Sequence, residues 1–94
     1  MIRLIQVFLS SSSQIISEVS QDSDSGELFC TCPGYLSRNT CRHLDEVERR
    51  IEDNDGAYPM AVSTKATQEI ADEAIKSEEA FRKFVLNYGR IDIL

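Results

Sequence analysis

The apolar residues of this chain follow one spacing near its start and another further on. Residues 2–9, IRLIQVFL, are apolar on both alternating faces, which predicts a largely buried strand. Ser10 to Ser13 interrupt the run, and QIISEV (14–19) predicts a second strand. SQDSDSG (20–26) is loop chemistry, with Gly26 suited to a turn, and ELFCTC (27–32) predicts a third strand. Together these segments predict a small antiparallel meander. From Thr40 onward the spacing becomes helical, with Leu44, Val47 and Ile51 forming an apolar stripe expected to pack on the sheet. Thr40 suits an N-cap, Asp45 and Glu46 fall where the helix dipole favours negative charge, and Asn54 with Gly56 marks a stop.

AYPMAVS (57–63) predicts a connector, partly extended, because Pro59 limits sheet pairing. Ile70, Ala71, Ala74 and Ile75 share one face of a helix over 65–76. Ser77 can cap a further helix, in which Phe81, Phe84, Val85 and Tyr88 share a face and Gly89 provides the end. RIDIL (90–94) has the composition of a short terminal strand. The expected fold class is α+β: one domain over 1–94, with about three antiparallel strands, a metal-anchored helix and two C-terminal helices. Residues 1–56 would carry the strands and the metal module, and 57–94 a helical part packed on them. The Phe81–Tyr88 face is expected to complete the core. If the sheet were too small to cover it, dimerisation would be the outlet, so monomer and homodimer both stay open.

Every cysteine and the sole histidine fall within CTCPGYLSRNTCRH, residues 30–43. Three thiols cannot all pair internally, and Cys30 and Cys32 are too close for a mutual disulfide. Cys30, Cys32, Cys41 and His43 instead suit a metal site in a reducing compartment. Neighbours i and i+2 on a strand share a face about 6.5–7 Å apart. Tetrahedral zinc needs sulfurs about 3.8 Å apart, so a modest inward rotation lets Cys30 and Cys32 grip one ion. Pro33 pushes Cys32 toward extended geometry, and Pro33–Gly34 fits a type II turn that lets Tyr35–Thr40 loop back. Cys41 and His43 would diverge inside a regular helix, so both reach one metal only if Cys41 lies at or before the first turn. Other chemistries remain open at this point: small buried hydrophobes, a redox C-x-C pair, a Cys–His nucleophile pair, or a soft ion other than zinc.

The pattern C-x-C-x8-C-x-H over Cys30, Cys32, Cys41 and His43, with Pro33 after the second cysteine and Leu44 after the histidine, resembles the SWIM-type zinc finger. The likeness spans residues 27–52. It implies one structural zinc held by those four residues and a role in protein–protein or DNA contact. The acidic LDEVE that follows His43 departs from what DNA contact would favour.

Charge sharpens the choice of partner. The chain carries a formal net charge of −6, distributed as −3 over residues 1–29, +1 over 30–50 and −4 over 51–94. That balance opposes general attraction to nucleic acid and favours a protein partner, with Tyr35 and Leu36 either an apolar anchor or a loop folded over the metal. The nucleic-acid alternative rests on Arg38 and Arg42, and less directly on Arg49 and Arg50, which local carboxylates could also pair. Four protein ligands would close the metal shell, and the glycines stand apart, with no phosphate-cradling loop among them. A non-catalytic interaction or regulatory module is therefore expected. No run reaches the length of a membrane span, and MIRLIQVFL is too short for a signal sequence; an intracellular location, cytoplasmic or nuclear, is the expectation.

Overall fold

A computed structural model describes residues 1–12 and 14–94. Ser13, at the end of the predicted serine break, lies outside the described residues. The elements run β1 (Ile2–Leu9), β2 (Ile16–Asp22), β3 (Leu28–Cys30), α1 (Pro33–Arg38), α2 (Arg42–Asp53), α3 (Gln68–Ala74), α4 (Glu78–Tyr88) and β4 (Ile91–Ile93). The class is α+β, as the patterning predicts. The sheet order is β3-β2-β1-β4.

β1 lies inside the sheet and is apolar on both faces for that reason. One face sends Ile5 and Phe8 into a cluster with Val19, Leu44 and Val47, which also contains the three cysteines. The other sends Leu4 and Val7 under Val85, with Phe81 and Phe84 alongside. Residues three apart in a strand ordinarily face opposite ways. A register shift between Leu4 and Gln6 resolves this, because the irregularity turns Leu4 and Val7 to one side and Ile5 and Phe8 to the other. Phe8, Val19 and Val47 are fully buried, and each such side chain contributes about 1.5–3 kcal/mol.

The sheet departs from the expected meander. β1–β2 and β2–β3 are antiparallel, but β4 adds beside β1 in parallel, making the sheet mixed. Such a pairing needs a long crossover, and residues 33–90 supply it. β2 begins two residues later than predicted and runs on to Asp22, since Ser20, Gln21 and Asp22 pair with β1 despite their polarity. β3 ends at Cys30, so Cys32 lies past the strand. No type II turn follows. Pro33 opens the short helix α1, with Cys32 as N-cap and Asn39 closing it in the left-handed region at φ 57°.

α2 begins one residue later than predicted: its N-cap is Cys41, not Thr40. The helix predicted over 65–76 is shorter, capped by Thr67, and Ile75 is exposed just beyond it rather than on the packed face. Ser77 caps α4 as expected. Gly89 ends that helix in extended rather than left-handed geometry. Glycine is required there because a Cβ would lie 2.6 Å from the Val85 carbonyl oxygen. Ahead of α3, the connector is extended around Val62, which forms a bridge to Gly89.

Candidate metal centre

Each of the four cluster residues takes its position from the end of an element. Cys30 closes β3 and is held in register opposite Val19. Cys32 caps α1, and its Sγ accepts the Tyr35 backbone N–H at 3.4 Å. Cys41 caps α2 in extended geometry, without a side-chain cap hydrogen bond of its own. This places Cys41 before the first turn, as shared ligation requires, and His43 within it. His43 is buried, and its ring lies 5.3 Å from the Phe8 ring at a 33° tilt.

The three Sγ atoms and one imidazole nitrogen lie within 4.8 Å of one another. Cys30 Sγ and His43 Nδ1 are 3.8 Å apart. Ligand atoms around a tetrahedral zinc are about 3.6–3.8 Å apart. Regular tetrahedral vertices at the observed 4.8 Å limit would need to move inward by about 0.6 Å to reach zinc–sulfur distance. The donor set therefore fits one tetrahedral metal ion. All three cysteines are free and buried, so no disulfide competes.

The electrostatics of the cluster favour a cation. Burial pushes the Cys30 thiol up to about 12; the Cys32 N–H opposes this more weakly, and the Cys32 and Cys41 thiols add to the rise. At Cys32 burial also opposes the thiolate, but the Tyr35 N–H, the other two thiols and the Gly34 N–H outweigh it and lower its pKa. Burial, and then the Arg42 charge, lowers the pKa of His43 and favours the neutral imidazole a metal needs. A divalent ion would stabilise the thiolate form throughout the cluster, including at Cys30, where burial opposes it.

Around the cluster, Tyr35 is half-buried against the core while Leu36 is 72% exposed. Arg38 and Arg42 are exposed, and Arg42 Nη2 donates to the Leu94 carbonyl oxygen at 3.2 Å. Arg49 and Arg50 are committed to carboxylates of Glu46, Asp53 and Asp92, at 2.6–2.9 Å. Of Asp45, Glu46 and Glu52, the local carboxylates the sequence offers these arginines, Glu46 is the one paired, and Asp53 and Asp92 join it. Sequence reasoning missed a second polar constellation. Arg50 Nη1 donates to Asp92 at 2.7 Å and to Tyr58 at 3.0 Å, and the Tyr58 hydroxyl donates to Gln6 Oε1 at 2.7 Å. The available signal was Gln6 itself, a lone amide in an apolar strand.

Comparison with protein-family models, curated proteins and solved structures found no match to this chain.

Proposed function

We propose that the chain is a non-catalytic zinc-binding module of SWIM type that presents a surface to a protein partner inside a reducing compartment. The observation that carries this reading is the convergence of Cys30, Cys32, Cys41 and His43 within 4.8 Å, at the junction of β3, α1 and α2. Four protein donors leave no open coordination position, which is the arrangement of a structural rather than a catalytic zinc. Zinc suits an S₃N donor set better than hard cations do.

A protein partner is supported by the charge of −6 and by the pairing of Arg49 and Arg50 on α2 with carboxylates. Leu36, exposed on α1, offers an apolar anchor beside the centre. A second reading, contact with DNA, is favoured by Arg38 and Arg42, neither of which forms an ion pair among the described residues.

Native mass spectrometry tests the first part directly: one zinc per chain is expected, and it reports monomer or homodimer in the same spectrum. Absence of bound metal after expression in zinc-replete medium would overturn it. A salt titration against duplex DNA separates the partners. Weak or absent binding at low salt fits a protein partner. A linear fall of log K with log salt, shallower in Arg38→Ala and Arg42→Ala, would transfer the reading to DNA.

A further inference from the structure

An open cavity of about 380 Å³ adjoins the metal centre, lined by Ser17, Cys32, Arg38, Cys41, Arg42 and His43 among others. That volume is within the range of small-ligand sites, about 300–1,000 Å³. Its walls are chemically one-sided. Arg38 and Arg42 both line it, the latter also donating Nη2 to the Leu94 carbonyl, and no carboxylate lines it among the described residues. Ser17 is 3% exposed and lines the cavity. Solvent can satisfy its hydroxyl through the open mouth, and a ligand oxygen can take the place of that water. The first turn of α2 also borders the cavity, and its N-cap supplies no side-chain acceptor to the leading N–H groups.

We infer that this cavity receives a phosphate-type oxyanion carried on a side chain of the protein partner, bound by Arg38, Arg42, Ser17 and the start of α2. The inference rests on the proposed zinc module insofar as the metal holds α1 and α2 in place around the cavity. A phosphomonoester carries about −1.5 to −2 charge and several acceptor oxygens, which suits two guanidiniums and a helix N-terminus. Three thiolates and one divalent ion would add a charge of about −1 beside the cavity, and two arginines exceed it. Arg38 is folded toward Gly34, where a Cβ would lie 3.3 Å from its Nη2 and 3.9 Å from Cys32 Sγ. One phosphate occupies only part of the space, and Ile15 and Pro33 supply an apolar wall for the carbon chain that bears it. Duplex DNA would present a row of phosphates to a surface whose neighbouring arginines are already paired. A single phosphorylated side chain meets no such mismatch.

The zinc-loaded full chain, ¹⁵N-labelled, can be titrated with inorganic phosphate, O-phosphoserine, serine and a short DNA duplex at matched ionic strength. Saturable shifts of the Ser17, Arg42 and His43 amides with phosphate and O-phosphoserine, but not serine, are expected. Arg42→Ala and Arg38→Ala should each weaken that binding about tenfold or more, while Arg49→Ala leaves it unchanged. Zinc stoichiometry measured on the same samples keeps the two readings apart. Retained zinc without saturable shifts overturns the oxyanion site alone, whereas wild-type protein lacking zinc overturns both. Binding of the duplex far tighter than O-phosphoserine, with a salt slope reporting several phosphates, would also overturn it and point to nucleic acid.

Discussion

Stripping the metal should melt α1 and the first turn of α2 while leaving the sheet and α4 folded. α1 spans six residues and buries none of them fully. Ordering six backbone positions costs about 6–12 kcal/mol. Against this stand the helix's few backbone bonds, with those from Leu36 N–H to Cys32 and Asn39 N–H to Tyr35 at its ends, and the half-buried Tyr35 ring, together about 2–4 kcal/mol. The deficit, about 4–8 kcal/mol, is within what structural zinc supplies in small fingers, about 10–16 kcal/mol. The rest of α2 has its own support, because Leu44 and Val47 are buried in the core. Hydrogen exchange of the loaded and chelator-treated chain measures this residue by residue. Amides of 34–43 should exchange at least about 10³-fold faster without metal, the factor corresponding to about 4 kcal/mol. Amides of β1, β2 and α4 should change far less. If 34–43 exchange at the same rate in both forms, something other than the metal holds α1 and the argument fails.

Other outcomes follow from the same geometry. In the metal-free chain, burial raises the Cys30 thiol to about 12, above its unfolded value near about 8.5. Its contribution is therefore full below about pH 8.5 and is lost as pH rises toward about 12. The loaded chain should respond in the opposite sense, losing metal and stability in acid as protons compete for the thiolates. Thermal melts of both forms between about pH 6 and pH 10 check the two signs. Gly89→Ala places a methyl 2.6 Å from the Val85 carbonyl and 3.0 Å from its Cγ1. A loss of about 1–3 kcal/mol in a urea melt is expected, and a loss under about 0.5 kcal/mol would show that this helix end yields freely. Arg50→Met removes bonds of 2.8 Å to Glu46, 2.7 Å to Asp92 and 3.0 Å to Tyr58. A cost of about 1–3 kcal/mol is expected because the side chain is only partly exposed, with a double-mutant cycle against Asp92→Asn reporting the coupling.

The Cys/His cluster was legible because its four residues lie within fourteen consecutive positions, so spacing and local geometry were enough. The buried faces of α2 and α4 were legible for a similar reason, since Leu44 and Val47, or Phe81 and Val85, declare themselves by period alone. What escaped is what depends on distant partners. Polar Ser20–Asp22 joins β2 because β1 offers backbone bonds opposite, which composition does not reveal. The parallel placement of β4 depends on how 57–90 folds back. Pro33–Gly34 opens a helix rather than a type II turn because Cys32 supplies a cap to the Tyr35 N–H. Pro at a first helical position and Pro in a turn read alike in the sequence. The cavity beside the metal was invisible for the same reason: Ser17 and Arg42 come together only when β2 and α2 meet.

α2 links the two constellations of the fold. Its start carries Cys41 and His43, and Arg50, two turns further on, reaches Asp92 of β4 and Tyr58 of the connector. Between them lies Phe8, fully buried, with the His43 ring 5.3 Å from its centroid and the Arg50 guanidinium carbon 5.6 Å from it. A metal that fixes the imidazole therefore also fixes the face of α2 that holds Arg50 over the same ring. The C-terminal strand is fastened to β1 through Leu94 N–H to Leu9 and to α2 through Asp92. Loss of metal consequently acts beyond the residues that bind it. The first turn of α2 loosens, the Phe8 contacts relax, and the Arg50–Asp92 bond loses the rigid helix that aims it. The path from the Cys/His cluster to β4 passes through side chains in direct contact, so a metal bound there would stabilise the C-terminal strand without touching it.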